Sequence, residues 1–406
     1  MTAIAANLSF TLPLPPSCIA FCPTQPHLFV VGTYHLHSST NDDNQDHDGD
    51  TVIDEPDTQQ RSGSLILYKL EGDEITEIAT ETTPDFAILD AQWSPHSSAH
   101  GELLAVATST GRLMLYELQS HGGTMQLASR CSEQVCEAST LVLSLAWHPS
   151  QANVVGVTLS DGRVCLSECT GSEPWARGTA ISVSAVHEHS LEAWTLAFAS
   201  YDSDTAVLSG GDDLVLQLST LDDHDAVTHR WQDRKAHEAG VTAIVPLFSD
   251  LVLTGSYDDH LRLLSTPLAG RRQVLADVNL GGGVWRVKIL SGSGAPARLA
   301  LPEGTRSLII LASCMHAGTR VVKLSRGRDD AWQFEVLAQF EEHKSMNYGS
   351  DFQPSESTLK SIVSTSFYDR LLCLWKFETG GNKGASSAIE PGADSKTPDT
   401  GQPEEV

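Results

Sequence analysis

The sequence predicts an all-β fold, a seven-bladed β-propeller whose ring is closed by the N-terminal strand. Three observations carry this expectation. An aromatic residue, any residue and proline recur as Phe21-Cys22-Pro23, Trp93-Ser94-Pro95, Trp147-His148-Pro149 and Phe352-Gln353-Pro354. Seven turns follow one another at intervals of about 45 to 60 residues, close to the roughly 40–45 of a propeller blade plus insertions. They read Val31-Gly32-Thr33-Tyr34, Ser109-Thr110-Gly111-Arg112, Ser160-Asp161-Gly162-Arg163, Ser209-Gly210-Gly211-Asp212-Asp213, Thr254-Gly255-Ser256-Tyr257-Asp258, Ser313-Cys314-Met315-His316 and Ser366-Phe367-Tyr368-Asp369. Alternating apolar runs come after them, such as Leu261-Arg262-Leu263-Leu264 and Leu371-Leu372-Cys373-Leu374-Trp375, as expected of strands with a buried face. A single blade cannot bury its own faces, so the units should stack into one closed domain spanning 1–379.

Each element follows from this frame. Proline is tolerated at a strand end but not inside a ladder, so the aromatic-x-Pro motif ends the inner strand, a, of its blade. Strand b leads into the Gly/Asp turn and strand c leaves it. The blades are expected at Ser17 to Leu70, then about 75–118, 125–168, 178–220, 228–266, 272–325 and 334–378. Residues 38–62 form an acidic insertion in blade 1, and 291–306, rich in Gly, Pro and Ala, an insertion in blade 6. Leu8-Ser9-Phe10-Thr11-Leu12 has no place in blade 1 and should close the ring as the outer strand of blade 7, which removes an exposed sheet edge. The pattern as a whole resembles degenerate WD40 repeats.

Composition excludes several classes. The formal net charge of −26 argues against a nucleic-acid binder, which carries a basic stripe. Residues 41–59 hold eight acids and no Lys or Arg, and 380–406 are acidic and rich in Gly, Ser and Pro. Both read as disordered and solvating, or as steering a basic protein partner. No apolar run reaches membrane-spanning length, and the N-terminus lacks a signal-peptide pattern. The eight Cys have no metal-ligand spacing, so no metal is expected, and reduced thiols in a cytoplasmic monomer are the plain reading.

In this topology the d–a and b–c loops share one face, the top. His, Cys, Asp and aromatic residues gather there on blades 4 to 7, whereas blades 2 and 3 have plain turns. A purely structural repeat would decorate every blade alike. Some of these residues suit a structural role. His237 with Asp258, and His343 with Asp369 and Trp375, fit a buried hydrogen-bonded network, and Asp213 aligns with Asp258. Asp212, one residue earlier, is freer. Cys314 and His316 are two apart in a segment read as extended, so they could share a face as nucleophile and base or could pack separately. Gly281-Gly282-Gly283 either lets backbone approach a ligand or makes a loop.

A closer resemblance lies in Gly32-Thr33-Tyr34, Ala87-Ile88-Leu89-Asp90, Glu192-Ala193-Trp194, Thr254-Gly255-Ser256-Tyr257-Asp258-Asp259-His260, Gly282-Gly283-Val284-Trp285-Arg286, Cys314-Met315-His316-Ala317-Gly318 and Tyr348-Gly349. These resemble the diphthine methyl ester hydrolase family, a WD40 group of diphthamide biosynthesis, over about residues 17 to 378. The resemblance implies a carboxylic-ester hydrolase that uses no cofactor. It would remove a methyl ester from methylated diphthine on translation elongation factor 2, leaving a trimethylammonium and a free carboxylate. The sequence has no Gly-x-Ser-x-Gly elbow. The expected machinery is therefore His316 as general base on water or on Cys314, with His189 as the other candidate base. Arg286 and the Gly281–Gly283 amides would serve as oxyanion donors and Asp212 as a histidine-orienting acid. The competing class is a non-catalytic scaffold, which fold alone favours.

Counting back four residues from the aromatic that ends strand a, or from Ile289 at the matching place in blade 6, aligns Ser17, Leu89, Leu143, Trp194, Trp285 and Tyr348, with about Ala243 in blade 5. Three large aromatics thus stand at equivalent positions. The expectation is an aromatic cage for a quaternary ammonium formed by Trp194, Trp285 and Tyr348, with Tyr257 or Tyr368 adding a wall. The alternative is three rings packed between blades.

Overall fold

The computed structural model describes residues 2–37, 59–96, 101–171, 173–201, 204–222, 226–290 and 307–380, and these contain strands and no helix. The strands form seven sheets arranged as a propeller. The inner strands are Pro16–Phe21, Ile88–Trp93, Val142–Trp147, Ala193–Tyr201, Val241–Pro246, Arg286–Ile289 and Gly349–Phe352. All four aromatic-x-Pro motifs place their aromatic on the last residue of such a strand. The tryptophans stitch neighbouring inner strands together: Trp93 Nε1 donates to Ala20 O at 3.1 Å and Trp147 Nε1 to Gln92 O at 3.0 Å.

Ring closure is as expected. Leu8–Thr11 pairs antiparallel with the third strand of blade 7, Leu371–Glu378, with Leu8 opposite Leu374. Leu12 beyond it is buried in the core between blades 7 and 1. The sequence pattern did not show that Thr2–Ile4 adds a fifth, parallel strand to blade 6 alongside Trp332–Phe340.

The expected blade boundaries need correction by one strand. Glu74–Thr83, placed by sequence in blade 2, pairs with Arg61–Glu71 and is the outer strand of blade 1. The same holds for Thr124–Gln134, Ile181–Glu188, Val227–Asp233, Gln273–Asn279 and Trp332–Phe340, each the outer strand of the preceding blade. The sequence repeat runs d-a-b-c, whereas the hydrogen-bonded sheet runs a-b-c-d, and this offset lets each repeat bridge two blades. Of the acidic insertion, 38–58 lies outside the described residues, while Arg61 and Ser62 already belong to a strand. The blade 6 insertion and the tail beyond 380 lie outside them too.

Candidate functional site

Strand a of blades 1 to 5 carries a β-bulge near its start. The register shifts fall between Pro16 and Cys18, Ile88 and Asp90, Val142 and Ser144, Ala193 and Thr195, and Val241 and Ala243. The bulged residues are therefore Ser17, Leu89, Leu143, Trp194 and Thr242. A bulge leaves one residue unpaired and re-aims its side chain. At this position small residues reach the next blade: Ser17 Oγ donates to Ile88 O at 2.6 Å, and Thr242 Oγ1 to Val284 O at 2.5 Å. Ala243, the sequence expectation in blade 5, is one residue off.

A second tier comes from the b–c turns. The first turn residue of six blades donates its N–H to the residue two before the bulge or its equivalent: Tyr34 to Pro15, Ser109 to Ala87, Ser160 to Leu141, Asp212 to Glu192, Tyr257 to Gly240 and Phe367 to Met346. These six positions are thus equivalent. In blades 2 and 3 the serine hydroxyls turn back onto backbone, accepting from Ala87 N and Leu141 N. In blades 4, 5, 7 and 1 the same position carries Asp212, Tyr257, Phe367 and Tyr34.

The two tiers bring six rings into one arc. Ring centroids lie 5.6 Å apart for Trp194 and Trp285, 6.2 Å for Trp194 and Tyr257, and 5.8 Å for Tyr257 and Trp285. The arc continues from Trp285 to Tyr348 at 5.1 Å, Tyr348 to Phe367 at 5.6 Å and Phe367 to Tyr34 at 6.2 Å. Trp194 and Trp285 come from blades 4 and 6, and Tyr257 of blade 5 packs against both. Gly240 makes that possible: a Cβ there would lie 2.8 Å from Asp212 Oδ1 and 3.0 Å from Tyr257 Cδ2. Trp194 Nε1 donates to Asp212 Oδ1 at 3.1 Å, which fixes a carboxylate at the blade 4 end. Burial pushes the Tyr257 phenol well above its usual range, helped by Tyr348 and Asp212, and burial raises Tyr348 as well.

The sequence pattern favours Tyr368 over Phe367, and the structure reverses that choice. Tyr368 is 71% exposed and stacks edge-on against Phe367, whereas Phe367 is half-buried in the arc. Counting back from Asp369 finds Tyr368; counting forward from Ser366, as from Ser256 to Tyr257, finds Phe367. Tyr34 was visible only as part of a turn motif.

The expected catalytic residues do not assemble. Cys314 is fully buried in the core of blades 5 and 6, and burial pushes its thiol up to about 12. His316 is exposed. The two diverge because residues 314–318 are a tight turn and not an extended segment: Ala317 N donates to Cys314 O, Cys314 N to Gly318 O, and Met315 has φ 41°. His189 has no exposed side-chain surface and is held between Asp213, at 2.9 Å, and Ser209, at 2.7 Å; burial lowers its pKa. It joins the structural network and is not an accessible base. Asp212 orients the Trp194 indole and not a histidine. Arg286 lies over Trp285, its Cζ 5.2 Å from the ring centroid.

The structural histidines also differ from expectation. His237 bonds Thr254 at 2.9 Å, while Asp258 is taken by Arg262 at 2.8 and 2.9 Å. His343 bonds Ser364, which also accepts from Trp375 Nε1 at 3.0 Å, while Asp369 is taken by Ser345, Ser366 and Lys344 N. The second nitrogen, Nδ1, of both His237 and His343 has no hydrogen-bond partner among the described residues.

Comparison with known proteins places these observations. No family model matches the sequence. The diphthine methyltransferase of Schizosaccharomyces pombe is 30% identical over 352 residues, covering 86% of this chain and 90% of the relative. The Saccharomyces cerevisiae protein of the same name is 25% identical, with 89% and 95% covered, and the human one 28%, with 82% and 71%. Among solved structures, the WD40 propeller domain of Doa1 matches with a TM-score of 0.57 at 13% identity, covering 92% of this chain and 97% of that one. A chain of the mitotic checkpoint complex matches with 0.59 at 14%, covering 93% of each. At these identities the structures speak for the fold. The relatives are named for methyl transfer, so the carboxylic-ester hydrolase expectation is corrected, and the hydrolytic roles given to His316, Cys314, His189, Arg286 and Asp212 fall with it. What stands is the seven-bladed WD40 propeller and its place in diphthamide biosynthesis: the chain belongs to the diphthine methyltransferase family.

Proposed function

We propose that this chain recognises diphthine on translation elongation factor 2 at a methyl-transfer step of diphthamide biosynthesis, holding the quaternary ammonium of the modified side chain on the aromatic arc. The contact of Trp194, Tyr257 and Trp285 beside Asp212 carries this reading. A quaternary ammonium has no N–H to donate. Ring faces and a carboxylate are the groups that stabilise it, at about 0.5–2 kcal/mol per ring. The three centroids lie 5.6–6.2 Å apart with interplanar angles of 43–85°, too close for a trimethylammonium to enter between the rings, so the cation would rest on the ring faces left open at the edge of the group, within the roughly 6 Å reach of the interaction. The rings thus suit a shallow seat and not an enclosing cage.

A methyl transfer also needs a donor. The glycine run near Trp285 does not form a cradle for an adenosyl group: Cβ atoms at Gly282 and Gly283 would lie 2.4 Å from Cys314 O and 2.6 Å from Met315 Sδ, so these residues are packed against the neighbouring turn. The glycine run is therefore not the seat of a methyl donor. The test is to incubate the purified chain with diphthine-bearing elongation factor, with and without S-adenosylmethionine, and weigh the product. A donor-dependent gain of one methyl, abolished by Trp285→Leu, is expected. An unchanged mass, or a loss of the same mass, sinks the methyl-transfer reading.

A further inference from the structure

Arg286 follows Trp285 and begins the inner strand of blade 6. Its side chain is 20% exposed, and a guanidinium offers five N–H donors. Among the described residues one of them has a partner within hydrogen-bond distance: Nη1 donates to Trp285 O at 3.3 Å. Nη2 lies 3.8 Å from Asp90 Oδ2 on blade 2, beyond a hydrogen bond. Asp90 does not need the arginine. Its Oδ2 accepts from Ser144 Oγ at 2.9 Å, Leu145 N at 3.2 Å and Gln92 Nε2 at 3.4 Å, and its Oδ1 from Ala91 N at 3.0 Å. The other cation on this strand differs: Lys288 is committed to Asp351 at 2.6 Å. Arg286 is therefore a partly buried guanidinium over a ring of the arc, with most of its donors unpaired and open to solvent or a ligand. A planar fork with donors open in this way matches a carboxylate.

We propose that Arg286 receives a carboxylate of the bound group, so that the arc and Arg286 together select a betaine, a quaternary ammonium and a carboxylate carried close together. The inference rests on the reading of the arc as the ammonium seat. It makes Arg286 a specificity-determining residue: the rings hold any quaternary ammonium, and Arg286 distinguishes a free carboxylate from a neutral neighbour. Asp90 holds the guanidinium by a long contact that an incoming carboxylate can replace at little cost.

The test uses the full chain and two small probes, glycine betaine and choline, with binding followed by tryptophan fluorescence. Glycine betaine is expected to bind about tenfold or more tighter than choline, the range of a charge-assisted hydrogen-bonded pair. Arg286→Gln should bring betaine down to the choline level and leave choline unchanged. Asp90→Asn removes the competing carboxylate and should tighten betaine about threefold, an outcome that a merely unfolded variant cannot give. Equal binding of the two probes by the parent chain, or undiminished betaine binding by Arg286→Gln, overturns the role of Arg286 while the ammonium seat stands. Binding of neither probe overturns both.

Discussion

Lowering the pH from 6.5 to 5.5 should destabilise this propeller by about 4 kcal/mol through four buried histidines. His148, His237 and His343 have pKa values pushed down to about 4, and His187 to about 3, burial being the largest cause in each. Neighbouring His96 adds to the effect at His148, His189 and Arg230 at His187, and Arg262 at His237. The hydrogen bonds agree: His148 Nδ1 accepts from Ser150 N and Gln151 N, so a proton there would face two donors. The folded chain keeps these rings neutral, while the unfolded chain protonates them near pH 6.5. Their contribution is fully present above about 6.5 and is lost as the pH falls toward 4. Over the first unit the loss is about 1 kcal/mol per histidine. His148 and His187 belong to blade 3, one just past its inner strand and the other on its outer strand, but the four histidines share no hydrogen-bond partner, so their contributions should nearly add. A domain has only about 5–15 kcal/mol of stability, so the change is large. Urea unfolding followed by tryptophan fluorescence at pH 7.5, 6.5 and 5.5 measures it. His343→Gln should reduce the pH-dependent loss by about a quarter. Stability that is flat between 6.5 and 5.5 would mean that the folded rings accept protons, and the argument from burial would be wrong.

Two further outcomes follow from the geometry. Gly240→Ala drives a Cβ into Asp212 Oδ1 and Tyr257 Cδ2; choline affinity is expected to fall about three- to tenfold with the melting temperature within a few degrees of the parent, and unchanged affinity would show that the seat does not depend on these two groups. Removing residues 1–6 strips the parallel strand from blade 6 and should cost a few degrees by calorimetry, whereas removing 1–12 opens the ring along Leu371–Glu378, uncovers the core that Leu12 fills and should give aggregates by light scattering. Equal behaviour of the two truncations would contradict the assignment of Leu8–Thr11 as the closing strand.

The number of blades, the closing strand and the end of each motif-bearing inner strand are legible in the chain alone. Proline cannot enter a ladder, and a strand left without a blade must cover an edge. The alignment of Ser17, Leu89, Leu143, Trp194, Trp285 and Tyr348 is legible too, since a fixed count from a fixed strand end preserves register. What those positions do depends on their folded neighbours. A bulge is a property of two paired strands, so no count along one chain reveals it, and in blade 5 the bulged residue is Thr242 and not Ala243. The pairing of Cys314 with His316 assumed an extended segment, but the turn through Met315 sends one side chain into the core and the other to solvent. The contact between Trp194 and Trp285, 91 residues apart in the chain, exists because Gly240 is small and Tyr257 fills the gap. The donors of Arg286 are open because Asp90, on blade 2, is satisfied by Ala91, Gln92, Ser144 and Leu145, a relation between blades that no local sequence pattern carries.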